Sequence, residues 1–295
     1  MRLDRAIAER FGLSRRAAQE AVRQGRVDVE GKACREPGRE VEAEAILAFD
    51  PNRPRCGRPA RRLDILYEDA QIVIVNKPAG LLSQPTPARE PHTLVEQVGR
   101  YLVRKHGIKR PYVGIVHRID QDTSGAILVV TAARALRPFQ TIFRTHAIER
   151  SYLAVVEGVF ATPAGRIDLP LVADRGDGRR GVSRRPDEGV SAVTHYEVLE
   201  QFGHVASLVA CRLETGRTHQ IRIHLAELGH PVVGDRVYRP PRRPQFPVPF
   251  DRQALHAQAL GFVHPISRQT LNVRAPLPTD LAGLIAGLRD RYVSS

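Results

Sequence analysis

Between residues 114 and 125 the chain reads Gly-Ile-Val-His-Arg-Ile-Asp-Gln-Asp-Thr-Ser-Gly. His117, Arg118, Asp120, Asp122, Thr123 and Ser124 crowd together there, and Ile119 is the one large apolar side chain among them. Apolar runs lead in through Ile115 and Val116 and out through Ala126 to Val130. A polar loop held between two buried runs suits reactive groups carried on a rigid scaffold. Asp120 and Asp122 are two apart, so in an extended loop they point the same way and offer a carboxylate pair of the kind that works on glycosidic bonds. Taken alone, either one reads better as a turn or cap residue. Ser124 beside Gly125 invites a nucleophilic serine, but Asp122-Thr123-Ser124-Gly125-Ala126 lacks the first glycine of that elbow. Thr123 and Ser124 are better suited to hydrogen-bonding the loop backbone.

A second polar stretch runs from Thr215 to Gly229 and contains Arg217, His219, Arg222 and His224. Thr218 is placed to cap a three-turn helix that Gly229 closes, with Ile221, Leu225 and Leu228 as its buried stripe. Arg222 lies off that stripe, free to point into a cleft. His219 and His224 are five apart and do not share a helical face, and no glutamate sits between them as in zinc proteases. A metal site is therefore not expected. Tyr152 lies in an apolar run, where a core aromatic is the commoner reading.

The elements that would position these groups follow from hydrophobic period. Gln71 to Asn76 is apolar on both faces, as a buried strand is, and Pro78 ends it. Ala126 to Thr131 is a second buried strand, and Glu149 to Gly158 a third, with Tyr152, Ala154 and Val156 on one face. Thr93 to Lys105 and Leu136 to Arg144 have helical spacing. Thr194 to Phe202 and His204 to Glu214 form a hairpin. Leu255 to Val263 and Gln269 to Ala275 complete a sheet, and Leu281 to Tyr292 is a terminal helix. Strands and helices are interspersed without regular βαβ alternation. The expected fold is α+β, a mixed and largely antiparallel central sheet with flanking helices.

A smaller unit precedes it, over residues 1–50. Leu3, Ile7 and Phe11 mark a helix ended by Gly12, and Ser14 caps a second from Arg15 to Gln24, closed by Gly25. Arg26 to Lys32 alternates like a strand and ends in a Glu-Gly turn, and Val41 to Phe49 supplies another strand. Residues 51–62 carry five arginines and no acid among Pro and Gly, and read as a basic linker to a domain spanning 63–295.

The chain has 295 residues and a net charge of +13, with Arg much commoner than Lys. Such a balance favours a polyanionic partner, nucleic acid first. Cys34, Cys56 and Cys211 have neither zinc nor redox spacing, and an odd count argues against a disulfide framework. The charged N-terminus is not a signal peptide, and no apolar run approaches a membrane span. A soluble, cytoplasmic protein is expected.

Several motifs then fall in one order. Glu68-Asp69-x-x-Ile72-x-x-Val75-Asn76-Lys77-Pro78, Val116-His117-Arg118-Ile119-Asp120-x-Asp122-Thr123-Ser124-Gly125, Arg150-Ser151-Tyr152-Leu153-Ala154, Leu213 to His224, His230 to Asp235 and Gln253 to Ala257 together resemble the RluA family of RNA pseudouridine synthases. The likeness covers about residues 63 to 285. Two departures are conservative or remote from the chemistry: Ile119 where the family usually has Leu, and His92 where Gly commonly precedes Thr-Leu. The order Gly12-Leu13-Ser14-Arg15-Arg16, Gly25-Arg26-Val27, Gly31-Lys32 is similar to a small αL-type RNA-binding module.

The resemblance implies a cofactor-free isomerisation of uridine in structured RNA. It implies Asp120 as nucleophile, Arg222 as its ion-pair partner and Tyr152 stacked on the uracil, where it helps remove the C5 proton. A guanidinium at ion-pair distance favours a charged carboxylate. Arg118 is implied to fill the space left by a flipped nucleotide. Arg15, Arg16 and Arg23 are implied to face RNA, as are Arg179, Arg180, Arg184, Arg185, Arg242 and Arg243. Whether Asp120 attacks the sugar or the base stays open. Ribosomal RNA, the large subunit first, is favoured over transfer RNA, and a monomer is the default. Two rivals remain: a ribosome-assembly factor with a degenerate enzyme domain, against which intact Asp120, Tyr152 and Arg222 weigh, and a nucleoside hydrolase, which would release free uracil.

Overall fold

The computed structural model describes residues 1–42, 44–51, 63–85, 92–185, 188–240 and 244–293. The expected linker lies outside them from residue 52 on, as do Arg242 and Arg243.

Leu3 and Ile7, one turn apart and fully buried, fix the inner face of α1 (Leu3–Phe11). Gly12 ends that helix in the left-handed conformation. The Ser14 hydroxyl accepts from Ala17 N at 3.2 Å and caps α2 (Arg15–Arg23). Glu30 and Gly31, both at positive φ, form the two-residue turn between β1 (Val27–Val29) and β2 (Lys32–Cys34). On the other side β1 pairs with β3 (Leu47–Phe49), so the order is β2-β1-β3. The strand expected from Val41 onward is shorter. Only its last three residues pair, while Val41 is buried and its carbonyl receives the N-terminal amine at 2.7 Å. Among the described residues, the core of this unit draws on residues between Leu3 and Phe49.

Among the described residues the second unit is built on a sheet of ten strands. Its main path runs β4 (Ile65–Glu68), β5 (Ile72–Lys77), β7 (Ser124–Val130), β14 (Leu255–Val263), β8 (Ile148–Glu157), β13 (Ala206–Leu213), β12 (Val193–Phe202) and β9 (Ala164–Asp168). The short β6 (Gly114–Ile115) adds to β7 and β15 (Thr270–Arg274) to β14. A separate ribbon joins β10 (Leu171–Val172) to β11 (Gly181–Val182). All pairings on the main path are antiparallel except β7 with β14, which makes the sheet mixed and largely antiparallel.

Strand period explains why β5 reads as apolar throughout. Val73 and Val75 enter the core shared with Leu94, Val98 and Leu102 of α3 (Leu94–His106) and with Leu281, Leu284 and Leu288 of α6 (Thr279–Tyr292). Ile72 and Ile74 enter the opposite core, under Phe139 and Phe143 of α4 (Leu136–Arg144). Helices therefore flank both faces.

The helix after β13 departs from its expected form. α5 spans Gln220–Glu227, and His219, with φ 60, stands at its N-cap in place of Thr218. The Gln220 side chain folds back, its Oε1 accepting from Arg217 N at 3.0 Å and Thr215 Oγ1 at 2.8 Å. Residues Gln220 through Leu225 are all buried, whereas Leu228, at the C-cap, is exposed. A helix sunk on every side carries no single buried stripe.

Candidate active site

The loop from Val116 to Thr123 is clamped from both ends. Its exit enters β7 at Ser124 and Gly125, which lie beside His256 and Ala257 in the parallel pairing of β7 with β14. Gly125 has φ +115, and a Cβ there would sit 2.1 Å from the Ala257 carbonyl oxygen, so only glycine permits this approach. Thr123 and Ser124 bond side chains from the β14 segment rather than their own loop's backbone: Gln253 Nε2 donates to Thr123 Oγ1 at 3.1 Å, and Ser124 Oγ meets His256 Nδ1 at 3.0 Å. Arg252 Nη1 donates to the Asp122 carbonyl at 3.1 Å, and Ser83 Oγ to the Ile119 carbonyl at 2.9 Å.

Lys77 makes the deepest of these ties. It is fully buried, and Nζ donates to the carbonyls of Pro78, Leu81 and Gln121 at 3.0, 2.8 and 2.8 Å. Burial lowers its pKa to about 7 against the raising pull of Asp122 and Asp120. Three donors meeting three carbonyls pin the residue next to Asp120 to the end of β5.

Asp120 is carried by that loop and Arg222 by α5, 102 residues apart, and the fold joins them. Arg222 Nη1 donates to Asp120 Oδ2 at 2.9 Å. The other edge of the guanidinium is held by Asp235, with Nε to Oδ2 at 2.6 Å and Nη2 to Oδ1 at 2.9 Å. Burial alone would push the Arg222 pKa down. The hydrogen bonds and charge of Asp235, joined by Asp120, outweigh it and hold the guanidinium above its ordinary value. Asp235 is 1% exposed and also accepts from the backbone of Val237 and Tyr238. It follows Gly234, where φ is +75 and a Cβ would meet the Arg252 carbonyl oxygen at 2.0 Å. In the sequence this aspartate falls in a motif without a role, because the role comes from a bidentate geometry that no spacing reveals.

Asp120 thus has one oxygen committed and Oδ1 turned toward His219, whose Nε2 lies 3.8 Å away. Burial lowers the His219 pKa despite Asp120 beside it, so its ring is neutral near pH 7. His219 Nδ1 hydrogen-bonds Tyr238 Oη at 2.8 Å, and the Tyr238 ring also lies over Arg222.

Tyr152 stands on β8 between β13 and β14, in register with Cys211 and Ala257. Burial raises its phenol to about 12. Asp120, Tyr152, Arg222 and His219 line one open cleft of about 450 Å³. His117 lines the same cleft, stacked on Phe143 at 4.5 Å, with Nε2 accepting from Leu128 N at 2.9 Å. Burial and the neighbouring Arg150 push its pKa down to about 3, so it serves as a neutral strut.

The remaining candidates separate. Arg118 is exposed and lines the mouth of the cleft. Asp122 lines a different hollow, with Gly80 and Arg252, and forms no carboxylate pair with Asp120 in the cleft. His224 is buried against Thr194 and the Leu169 carbonyl. Among the described residues no group of His, Cys, Asp and Glu could hold a metal. Arg15, Arg16 and Arg23 are exposed on α2, and Arg184 and Arg185 on the loop after β11. Among the described residues no helix is long and apolar enough to cross a membrane.

Two family models match this chain: RNA pseudouridylate synthase over residues 71–227 and the S4 domain over residues 1–47. It is 38% identical to the Bacillus subtilis protein named uncharacterized RNA pseudouridine synthase YlyB, over 94% of this chain and 90% of that one. It is also 38% identical to ribosomal large subunit pseudouridine synthase D of Escherichia coli K12, over 98% of this chain and 90% of that one. Among solved structures, human RNA pseudouridylate synthase domain containing 4 superposes with a TM-score of 0.64 at 26% identity, covering 77% of this chain and 93% of that one.

Proposed function

The chain belongs to the RNA pseudouridylate synthase family, of the RluA type with an S4 domain in front, and from that premise we propose that it converts uridines of large-subunit ribosomal RNA to pseudouridine with Asp120 as nucleophile. The reaction breaks the N1–C1′ bond and forms a C5–C1′ bond, and the C5 proton is lost while N1 gains one. No electron pair leaves the nucleoside, so the isomerisation balances without an oxidant or a reductant.

The ion-pair chain Asp120–Arg222–Asp235 carries this reading. Arg222 holds one Asp120 oxygen at 2.9 Å, so the other faces the cleft as a ready nucleophile. Asp235 fixes the guanidinium in the plane that makes this contact. Tyr152 offers a ring for the uracil to stack on and, as the phenolate, a base that takes the C5 proton and becomes the phenol. Arg118, exposed at the mouth, fills the stack that the flipped uridine vacates. Ribosomal RNA is favoured over transfer RNA because full-length relatives carry that substrate in their names. The same reading has the enzyme acting as a monomer in the cytoplasm.

The test is pseudouridine mapping by carbodiimide labelling of large-subunit RNA from cells lacking the gene, before and after complementation. Defined sites should vanish and return with the wild-type gene but not with Asp120→Asn. An unchanged large-subunit map with lost transfer-RNA sites would overturn the substrate class. Return of the sites with Asp120→Asn would overturn the nucleophile.

A further inference from the structure

Buried arginines in this molecule come with acids. Arg222 has Asp235 and Asp120, and Arg252 has Asp280 at 2.7 Å. Arg150 does not. It stands two residues before Tyr152 on β8, on the same face, and is 5% exposed in the wall of the cleft. A guanidinium carries five N–H donors. Here Nη2 donates to the Glu214 carbonyl at 2.9 Å, and Nε has no partner among the described residues. Burial first, and a second cation, Arg217, work against its charge. Arg144 and His146, both exposed, stand at the outer rim of the same cleft.

The chain makes room for this unpaired charge. Gly216 passes so close that a Cβ there would lie 2.3 Å from Arg150 Nη1. A buried cation without an acid costs several kcal/mol, and a guanidinium in the cleft wall with no acidic partner among the described residues is placed to meet an anion there. A phosphate supplies a full negative charge and paired oxygens for a guanidinium fork. A uracil carbonyl supplies only a dipole, and two adjoining cations answer an anion better than a dipole.

We propose that Arg150, with Arg217 beside it, seats one backbone phosphate of the bound RNA, at the linkage adjoining the uridine stacked on Tyr152. This rests on the reading of the cleft as the uridine site. The seat fixes the strand one step from the reacting base, so the sugar is presented to Asp120 by its own backbone.

The test walks a single uncharged methylphosphonate through the linkages around the target uridine of a model RNA, with wild type, Arg150→Gln and Arg150→Lys. Affinity, salt dependence and single-turnover rate are read for each pair. One linkage should weaken wild-type binding about tenfold when neutralised, the scale of a charge-assisted hydrogen bond. Arg150→Gln should weaken binding of unmodified RNA by a similar factor and flatten the salt slope by roughly 0.7 to 0.9. The methylphosphonate at that linkage should then cost the Gln variant nothing further, while Arg150→Lys stays partly sensitive. The proposal is overturned if no neighbouring linkage matters to wild type, or if the penalty is undiminished in the variants. It is also overturned if Arg150→Gln slows single turnover with affinity and salt slope unchanged, which would put the charge on the base. Should Arg150→Gln fail to fold, the wild-type walk and the Lys variant decide. A wild type that makes no pseudouridine in unmodified RNA would strike the functional reading instead.

Discussion

Arg15, Arg16 and Arg23 on α2 and Arg222 on α5 are the same residue under opposite conditions. The first three are exposed, and none has an acidic partner among the described residues. Arg222 is 5% exposed and forked between two aspartates. An exposed guanidinium acts as a screened charge whose value fades over a Debye length and depends little on orientation. A buried one acts through the directions of its N–H bonds, and its neighbours have no other way to be satisfied. Arg15 and Arg16 also occupy the first turn of α2, where the helix dipole disfavours cations. They do not stabilise their helix, whereas Arg222 organises everything around it. On the proposed reading arginine supplies affinity in one region and geometry in the other.

Asp120→Asn should hit hardest. It keeps the side-chain shape and removes the proposed nucleophile, so product formation should fall roughly a thousandfold or more, with RNA affinity within about twofold. Single-turnover assays beside a binding titration read both. A wild-type rate in this variant would return Asp120 to a turn residue.

Arg222 comes next and tests the contrast directly. Arg222→Met leaves Asp235 charged and buried, and breaking such a pair costs about 3–5 kcal/mol. Turnover should drop about a hundredfold and the thermal midpoint should fall. Arg222→Lys keeps the charge but cannot span Asp120 and Asp235 with one planar fork. It should lose nearly as much turnover as Met. If Lys restored the rate, charge rather than geometry would govern this site too, and the contrast would collapse.

Tyr152→Phe keeps the stacking ring and removes one hydroxyl. General acid–base groups contribute about 10²–10⁴-fold, and a loss of about a hundredfold is expected, with affinity unchanged. The pH dependence follows from the raised phenol. With its pKa near 12, the phenolate fraction rises with pH throughout the neutral range. Between pH 7 and 9 the wild-type single-turnover rate should therefore climb, and in Tyr152→Phe that slope should disappear. An equal slope in both would leave Tyr152 as a stacking surface only.

Much of this is legible in the chain because local signals agree. Gly12, Ser14 and Gly25 mark the helix ends of the first unit, and the apolar runs of β5, β7 and β8 mark the centre of the sheet. Asp120, Tyr152 and Arg222 stand out through ordered motifs, and the fold brings them to one cleft. What escapes depends on side chains that fold back or on contacts between distant segments. Thr218 reads as an N-cap, but the Gln220 amide satisfies the turn and moves the helix start. His219 reads only as a candidate metal ligand, since nothing in a sequence puts its ring beside Asp120. Lys77 reads as the end of a strand, whereas its work is to hold three carbonyls from two loops.

The α2 arginines should show the mildest effect, and of a different kind. Replacing Arg15, Arg16 and Arg23 together by Ala withdraws up to three cations from the RNA backbone. The slope of log affinity against log salt should flatten by about 0.9 for each phosphate no longer neutralised, and affinity at moderate salt should weaken roughly tenfold. Turnover at saturating RNA should stay within about twofold, because no bond in the cleft changes. The thermal midpoint should hold or rise slightly, since two cations leave the positive end of a helix dipole. The triple Lys variant should bind like wild type, the reverse of Arg222→Lys. A triple Ala variant with an unchanged salt slope would make α2 a solvated face, and RNA capture would then rest on the cleft rim. A triple Lys variant as weak as triple Ala would mean that α2 reads its RNA by fork geometry, and the two regions would use arginine in one way after all.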